Sequence, residues 1–357
     1  MSAFSITRDD YFPQPPRNKN FGIGMVGCGS IVQGAHLPAY RAWDYRVLAC
    51  CDLHEENARR VAEEFAIPQY STRLEDVLNH PEIEIIDLAV HASQRLKVVE
   101  QIASHPKKPR AILSQKPLAL KWDEARRIVE VCEEAGIVLA VNQQQRWTAG
   151  HRALKHVIDS GAMGHVYSLV HFVRGNQDTP GSWYVDVENF NIVDHGIHFI
   201  DLSRHFLGLT PLRVKATTTV VPQQNAVTPM IYSILCEYET NAQCMSTLHF
   251  NNLVATSQST GRFEWLVDGT EGSAILNGDK LEVVLKGNAR HKHTISIEQD
   301  GGPIAFAAAM GELMQALDEN RAPTTAGRDN LNSIRIAYAA VESSNSGESV
   351  HLKSNPA

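Results

Sequence analysis

Residues 21–32 read FGIGMVGCGSIV, and this segment is the clearest indicator of the fold class. Phe21–Gly27 is a short apolar run, which is typical of a strand buried in a parallel sheet. Gly27 and Gly29 follow it, and Ser30–Trp43 is long enough for a helix. A glycine pair between a buried strand and a helix start favours a turn that cradles phosphate, because backbone N–H groups at a helix start attract anions.

Strand-like and helical segments alternate from this turn to about residue 142. Apolar residues at helical spacing, as in Glu55–Phe65, about 94–104 and Asp123–Ala135, separate the strand-like runs. Those further runs are Tyr45–Cys51, Glu84–Val90, Ala111–Ser114 and Val138–Val141. The alternation predicts right-handed crossovers and a doubly wound parallel sheet.

The pattern changes after residue 142. A helix near Gly150–Ser160 is followed by β-branched and aromatic runs with few helical segments between them, and Asn277–Asp279 is a hairpin signal. These runs are Val166–Val173, Arg213–Val221, Ile231–Tyr238, Ala242–Phe250, Gly261–Asp268, Ser273–Leu276 and Lys280–Leu285. They predict a large, mostly antiparallel open sheet. Two late helices, near Ile304–Asn320 and Asn330–Ser343, end the chain.

We therefore predict an α/β protein with three segments. An extended, Pro-rich arm covers residues 1–20, because Pro13, Pro15 and Pro16 disfavour a packed element. A dinucleotide-binding domain with the doubly wound sheet covers 21–142. A substrate-binding and oligomerisation domain of α+β type, with the open sheet, covers 143–357.

Composition narrows the class of protein. The 357 residues are 43% hydrophobic and 20% charged, which is ordinary for a chain with a sizeable core. The net charge is −7 and the longest basic cluster is residues 107–110, so we expect no nucleic-acid partner. The sequence shows neither a signal peptide nor a run of ~20 apolar residues, which predicts a cytoplasmic protein without a membrane partner. Six scattered cysteines without metal-site spacing predict buried thiols.

Asp52 ends the second predicted strand, where a carboxylate can bind both hydroxyls of a ribose. Its alternative role is that of a surface residue or a helix cap. A carboxylate repels a 2′-phosphate, and Leu53 and His54 follow it instead of an arginine, so NAD is favoured over NADP. The predicted cofactor contacts at this end of the sheet are Gly27, Gly29, Ser30, Ile31 and Asp52.

The segment Ser114–Pro117 follows the fourth predicted strand, at the carboxyl edge where α/β sheets bind ligands. A half-desolvated lysine at this edge suits proton transfer or polarisation of a hydroxyl. By position alone, Lys116 is equally compatible with a solvated lysine in a loop.

With these residues the chain resembles the Gfo/Idh/MocA family of nicotinamide-dependent oxidoreductases over most of its length from Phe21. Members carry Gly-x-Gly in the first turn and a Glu-Lys-Pro motif with a catalytic lysine. This chain reads Gln115–Lys116–Pro117, so the lysine and proline match and an amide replaces the carboxylate. The resemblance implies that Lys116 is catalytic and that Gln115 and Lys116 lie at the cofactor. The family's Thr-Pro after the third strand is replaced by His91–Ala92, which makes His91 a candidate cofactor contact.

Residues 191–208 read NIVDHGIHFIDLSRHFLG, in which Asp194, His198, Asp201 and His205 would share one face of a helix. A carboxylate one turn before a histidine can orient a general base, and the same residue types can chelate a metal. A hydrogen-bonded polar face without a catalytic role is the third interpretation.

The family resemblance bears on this choice. Its members carry Asp-x-Gly-x-His at the start of a helix in the second domain, and Asp194–His198 matches every fixed position. The resemblance implies that Asp194 and His198 join Lys116 around a substrate hydroxyl, with no metal.

Further residues are candidates for substrate binding, because sugars are often held by charged hydrogen bonds and an aromatic wall. Arg146 resembles an arginine that follows the domain crossover in relatives, and a salt bridge is its alternative role. Trp183 is equally compatible with a place in the core. The full set of substrate-binding candidates is Arg146, Arg174, Asn176, Trp183 and His195.

These observations predict an NAD-dependent oxidoreductase that transfers a hydride between the nicotinamide and a secondary hydroxyl of a sugar, glycoside or cyclic polyol. The polar arm and the segment Glu188–Asn191 are similar to members that oxidise glucosides at the 3-position. One alternative is a glycoside hydrolase or lyase that retains NAD and works by transient oxidation and elimination. Another is a non-catalytic sugar or nucleotide sensor. We also expect a homo-oligomer (a dimer, tetramer or higher), because relatives bury the open sheet face against another subunit.

Overall fold

The computed structural model describes residues 5–239, 243–255, 261–287, 292–298 and 303–352. The chain forms two compact units. The parallel-sheet unit comprises Pro13–Thr148 and Asp300–Leu331, and the mixed-sheet unit comprises Met1–Phe12, Ala149–Gln299 and Asn332–Ala357. Within the described ranges, no helix is long and apolar enough to cross a membrane.

Six parallel strands form the sheet of the parallel-sheet unit. They are β1 (Gly22–Val26), β2 (Arg46–Cys51), β3 (Gln69–Ser71), β4 (Ile83–Leu88), β5 (Ala111–Gln115) and β6 (Val138–Asn142). Their order is β3–β2–β1–β4–β5–β6, so the predicted doubly wound sheet is confirmed. Strand β3 is not among the predicted strands, because this short edge strand has no buried residue and no apolar run.

The helices, numbered along the chain, pack around both sheets. They are α1 (Arg8–Tyr11), α2 (Leu37–Ala42), α3 (Glu55–Phe65), α4 (Leu74–Leu78), α5 (Ala92–Ser104), α6 (Trp122–Glu134), α7 (Ala149–Asp159), α8 (Ile197–Leu207), α9 (Ile304–Asp318) and α10 (Gly327–Ser346). Two π-helical turns, Val32–His36 and Asn191–His195, and a 3₁₀ turn, Gln144–Trp147, complete them. The helix expected over Ser30–Trp43 is therefore a π turn that continues into α2, and Pro38 lies in the first turn of α2, where a missing N–H costs little.

Helix α9 packs in the core of the parallel-sheet unit. Its Met310 and Leu313 belong to the same buried cluster as Ile23 and Met25 of β1 and Ile85 of β4. The chain thus returns to this unit after the mixed sheet has been completed. Our division at residue 142, which assigned all of 143–357 to a second domain, differs from this arrangement, because the sequence pattern identifies a helix but not the sheet against which it packs.

Nine strands form the mixed sheet. They are β7 (Val166–Arg174), β8 (Arg213–Thr219), β9 (Ile231–Glu237), β10 (Met245–Asn251), β11 (Arg262–Gly269), β12 (Gly272–Asn277), β13 (Lys280–Leu285), β14 (Lys292–Ser296) and β15 (Val350–His351). Their order is β14–β13–β12–β11–β7–β10–β9–β8–β15, and all neighbours are antiparallel except β7 and β10. The predicted mostly antiparallel sheet and the hairpin between β12 and β13 are confirmed.

Burial alternates along the central strands of this sheet. In β7, Leu169, His171 and Val173 are buried. Val170 and Phe172, which lie between them, are partly exposed. Helix α8 lies on the buried face, and nearly all its residues are buried. One face of the sheet is therefore the core of the unit and the other is open in the single chain.

The N-terminal arm is more ordered than expected. Residues Arg8–Tyr11 form a helical turn that Thr7 and Asp10 close with a capping box. Tyr11 is buried, and its carbonyl oxygen accepts a hydrogen bond from Arg152 of α7 at 2.6 Å. Arg8 also forms an ion pair with Glu298 at 2.6 Å, so several contacts hold this part of the arm.

All six cysteines are free thiols, and five of them are buried, as expected. Burial raises the pKa of Cys51 and of Cys132 to about 12. These thiols are therefore protonated at neutral pH and behave as small apolar side chains.

Candidate active site

The turn after β1 requires glycine at its first position. Gly27 has a φ of +95°, and its N–H donates to the carbonyl oxygen of Cys51 at 2.8 Å. A Cβ atom at Gly27 would lie 3.0 Å from the carbonyl carbon and oxygen of Ala89. The backbone of β1 therefore turns sharply against the end of β4, and a side chain at Gly27 would be strained by both its conformation and its neighbours.

The second glycine faces open space. A Cβ atom at Gly29 would meet nothing within 4 Å among the described atoms, and Ser30 and Ile31 are exposed. The π turn that leads into α2 starts immediately afterwards at Val32. Exposed backbone at a helix start, with room above it, fits the pyrophosphate of a dinucleotide.

Asp52 lies beside this turn. One carboxylate oxygen accepts the N–H of Cys28 at 2.8 Å and the other accepts the N–H of His54 at 2.9 Å. These bonds fix the carboxylate without using all of its acceptor sites, since a carboxylate has about four. Asp52 is half-buried and Leu53 is 88% exposed, so the carboxylate fits the ribose hydroxyls predicted for it.

Lys116 follows β5 at the carboxyl edge of the parallel sheet, as the sequence predicted, and it is half-buried. The side chain of Gln115 holds this position. Its Oε1 accepts the N–H of Lys116 at 2.9 Å, and its Nε2 lies 2.8 Å from Nε2 of His36. His36 in turn contacts Asp87 of β4, with 2.7 Å between Nδ1 and Oδ2.

His36 and Asp87 are not among the site residues predicted from the sequence. Both side chains are fully buried, and Tyr40 also donates to Oδ2 of Asp87 at 2.6 Å. A carboxylate within the buried run Ile85–Leu88 of β4 is a signal that could have marked Asp87, because a buried charge requires partners. The partner is 51 residues away in the chain.

Two further buried amides lie at the same edge. Asn142 ends β6 in register with Gln115, and Gln143 follows it. The polar side-chain atoms of Asn142 and Gln143 are buried and have no hydrogen-bond partner among the described residues. Buried amides of this kind require a donor and an acceptor, so this edge fits a polar ligand such as the amide or hydroxyl groups of a nicotinamide nucleotide.

The other candidates of the parallel-sheet unit have contacts that support the structure. His91 caps α5: its Nδ1 lies 2.9 Å from the hydroxyl of Ser93. Arg146 is buried, donates to the carbonyl oxygen of Thr324 at 2.9 Å and lies 3.7 Å from Asp329. This is the salt-bridge role that the sequence left open for Arg146. The proposed ligand contacts of His91 and Arg146 stay predictions.

In the mixed-sheet unit, the Asp-x-Gly-x-His segment joins two helical turns. Asp194 and His195 belong to the π turn and are half-buried, whereas His198 is buried in the first turn of α8. Asp194 therefore lies in the π turn, whereas His198, Asp201 and His205 lie on α8, and the shared polar face stays a prediction.

The glycine of this segment is enclosed. A Cβ atom at Gly196 would lie 2.7 Å from the carbonyl oxygen of Ile192, 2.7 Å from the hydroxyl of Tyr232 and 2.9 Å from the carbonyl oxygen of Asn191. Gly196 thus lets the π turn pack directly against β9. The same packing fixes the backbone that carries Asp194 and His198.

Asp201 serves the structure of this unit. Ser333 of α10 donates to its Oδ1 at 3.0 Å and accepts from Arg204 at 3.0 Å. All three side chains are buried. This network ties α8 to α10, and it explains the carboxylate that the sequence analysis placed on the same face as the catalytic candidates.

The remaining substrate candidates follow β7. Arg174 ends that strand and is half-buried, and Asn176 is exposed. Nε2 of Gln177 lies 3.1 Å from Nε2 of His195. Trp183 is 61% exposed and stands edge-on against Phe190, with ring centres 5.3 Å apart. Trp183 is therefore not a core residue, which was its alternative role.

Comparison with known proteins agrees with this architecture. The family described as an oxidoreductase family with an NAD-binding Rossmann fold matches residues 21–143, and the GFO/IDH/MocA C-terminal domain matches residues 151–275. The chain belongs to the Gfo/Idh/MocA family. It is therefore an oxidoreductase with an NAD-binding Rossmann domain, and the predictions of family, fold class and enzyme are confirmed.

Similar proteins include the D-apiose dehydrogenase of Paraburkholderia graminis, which is 28% identical over 94% of this chain and 91% of that enzyme. An oxidoreductase from Agrobacterium radiobacter, solved with NAD+, L-tartaric acid and magnesium, has a TM-score of 0.82 and 24% identity over 93% of this chain and 98% of its own. A levoglucosan dehydrogenase solved with NADH and levoglucosan has a TM-score of 0.79 and 19% identity over 94% of this chain and 100% of its own. At these identities the structural likeness establishes the fold.

Proposed function

We propose that the protein is an NAD-dependent dehydrogenase that acts on a secondary hydroxyl of a sugar, glycoside or cyclic polyol. The observation that carries this proposal is the position of Lys116. It follows β5 at the ligand-binding edge of the Rossmann sheet, and Gln115 holds its main chain with a hydrogen bond of 2.9 Å. Relatives such as the D-apiose dehydrogenase support a carbohydrate as the substrate.

The cofactor contacts favour NAD over NADP. Gly27, Gly29, Ser30 and Ile31 supply the turn that accommodates a pyrophosphate, and Asp52 accepts the ribose hydroxyls. The Asp52 carboxylate is held by two backbone N–H groups, so it cannot turn away from a 2′-phosphate without losing both bonds. These residues would hold NAD at this edge, where the cofactor would supply the acceptor for a hydride.

The catalytic roles are divided between two kinds of residue. His198, oriented by Asp194, accepts the proton of the substrate hydroxyl. Lys116 donates a hydrogen bond to the same oxygen and stabilises the negative charge that develops there. The buried position of His198 limits its exposure to bulk water, which strengthens both electrostatic effects.

Trp183 supports a sugar ring as the ligand. Its exposed indole, backed by Phe190 and Tyr184, is a flat surface of the kind that packs against the apolar face of a pyranose. Arg174, Asn176 and His195 are the polar candidates that would bind the remaining hydroxyls. The 3-position of a glucoside is a specific form of this proposal.

The test is a panel of aldoses, glycosides and inositols, incubated with the full chain and NAD+ or NADP+, with NADH or NADPH formation followed by absorbance. We expect turnover with NAD+ and at least one member of the panel. The Lys116→Met and His198→Ala variants should lose turnover while NAD+ still binds, as measured by quenching of tryptophan fluorescence. Retained turnover in either variant would refute the assigned roles. Aglycone release from a glycoside without net NADH would instead identify an NAD-retaining hydrolase or lyase.

The open face of the mixed sheet supports a homo-oligomer. Its apolar side chains include Val170, Phe172, Leu235 and Leu266, which are partly exposed, and Ile275, which is 39% exposed. We expect at least a dimer by light scattering coupled to gel filtration. A Leu266→Arg substitution should shift the chain toward the monomer, and a monomeric wild type would contradict this part of the proposal.

A further inference from the structure

A chain of buried hydrogen bonds runs from β4 to the main chain of Lys116. It starts at Asp87, passes through His36 and Gln115 and ends at the N–H of Lys116, with heavy-atom distances of 2.7, 2.8 and 2.9 Å. Tyr40 donates to Asp87 at 2.6 Å from the side. His36 and Asp87 are fully buried and Gln115 is 8% exposed.

Only one arrangement of protons satisfies this chain. The backbone N–H of Lys116 can only donate, so the Gln115 atom that faces it is the oxygen and the atom that faces His36 is the amide nitrogen. An amide nitrogen can only donate, so Nε2 of His36 carries a lone pair. A neutral imidazole then has its proton on Nδ1, which donates to the carboxylate of Asp87.

Resting on the function proposed for Lys116, we propose that Gln115 is a positioning residue for Lys116 and that Asp87 holds His36 in the neutral Nδ1–H tautomer that Gln115 requires. Lys116 is the last member of this series of hydrogen bonds. The Gln115 side chain fixes the backbone of Lys116 and is itself held by His36 at its other end. The amino group of Lys116 therefore projects from a fixed backbone position at the sheet edge. Correct placement of a catalytic group to within about 1 Å can change a rate on the order of 100-fold.

The amide of Gln115 requires a neutral imidazole at His36. A glutamate in place of Gln115 could still accept the N–H of Lys116, but as an acceptor it would require a proton on Nε2 of His36. His36 would then be an imidazolium between two carboxylates. The added negative and positive charges cancel, so this exchange leaves the net charge of the buried cluster unchanged and is structurally tolerable.

The first experiment reads the tautomer without any substrate. Long-range ¹H–¹⁵N correlation spectra of the full chain, labelled with [¹⁵N]histidine, distinguish the three forms of each imidazole, and a His36→Asn variant assigns the signals of His36. We expect the neutral Nδ1–H form in the wild type and the imidazolium in Gln115→Glu. A wild-type His36 with its proton on Nε2, or with two protons, overturns the inference.

The second experiment tests the effect on Lys116 with Gln115→Leu, Gln115→Glu and the control Ser114→Ala, which changes the neighbouring buried residue on the opposite face of β5. We expect the backbone N–H of Lys116 to exchange with solvent at least about tenfold faster in Gln115→Leu and at the wild-type rate in the other two. With a substrate from the panel, kcat should fall on the order of 100-fold in Gln115→Leu. Gln115→Glu should recover most of kcat.

These readouts separate the inference from the proposed function. If no sugar is oxidised, the dehydrogenase proposal fails, while the tautomer and the exchange rate of the Lys116 N–H still decide whether Gln115 positions Lys116. An unchanged Lys116 exchange rate in Gln115→Leu overturns the positioning role, whatever happens to kcat. If Gln115→Leu does not fold, the histidine spectra of the wild type and of Gln115→Glu still test the proposed tautomer of His36.

Discussion

Gly196→Ala tests how tightly the Asp-x-Gly-x-His segment is enclosed. The added methyl group would lie 2.7 Å from the carbonyl oxygen of Ile192, 2.7 Å from the hydroxyl of Tyr232 and 2.9 Å from the carbonyl oxygen of Asn191. Two of these three neighbours are backbone atoms, which cannot rotate away as a side chain can. The π turn and the start of α8 must therefore move apart.

The structure sets the size of the effect. Forcing one extra carbon into a packed core costs about 1–3 kcal/mol, and alanine recovers up to ~1 kcal/mol of helix propensity relative to glycine. Because two of the close atoms are backbone, we expect a net loss near the upper end of the difference, about 2 kcal/mol. For a unit of this size that corresponds to a fall in Tm of about 4–8 °C.

Differential scanning calorimetry of the full chain measures this loss, and two further variants identify its cause. The hydroxyl of Tyr232 is buried without a partner among the described residues, so Tyr232→Phe alone should be neutral or slightly stabilising. Combined with Gly196→Ala, it should recover part of the lost stability, because it removes one of the three close atoms. Gly34→Ala, where a Cβ meets nothing within 4 Å, is the control and should not destabilise. An unchanged Tm in Gly196→Ala, or no recovery in the double variant, would contradict the close packing around Gly196.

Three further predictions address other parts of the molecule. Burial holds the pKa of His171 well below its usual value, so the native state binds fewer protons than the unfolded state below pH ~6.5. Stability should therefore be lost as pH falls below ~6.5, by up to about 1.4 kcal/mol per pH unit, and His171→Phe should reduce this slope in urea titrations at several pH values. Trp265→Ala should cost about 3–5 kcal/mol by the same measurement, because it empties a fully buried site and removes the donor to His151. Asp52→Ala should weaken NAD+ binding about 10–100-fold and reduce the preference for NAD+ over NADP+, as measured by fluorescence titration; equal affinities for wild type and variant would exclude Asp52 from the cofactor site.

The features that could be predicted from the sequence are local ones. The first strand, the glycine pair and Asp52 are each marked by residues close together in the chain, and the parallel sheet follows from the alternation of segments. Lys116 could be placed at the sheet edge for the same reason. The spacing of aspartate, glycine and histidine identified the Asp194–His198 segment. It did not predict the π turn within that segment.

The features that were missed depend on distant parts of the chain. His36 and Asp87 meet across 51 residues, and neither has a partner that its own segment predicts. The parallel pairing of β7 with β10 depends on strand order, which local patterns do not contain. The packing of α9 against the parallel sheet likewise could not be predicted from local patterns, because an apolar helix face fits either sheet equally well.

The return of α9 to the parallel-sheet unit has a consequence for biosynthesis. The ribosome delivers β1–β6 first, and about 150 further residues must be synthesised before the missing helix arrives. At ~5–20 residues per second this leaves the apolar surface around Ile23 and Met25 without its cover for roughly 8–30 s. During that interval the nascent chain exposes a surface of the kind that chaperones bind, so its yield in the cell depends on what protects residues 13–148 before residue 318 emerges.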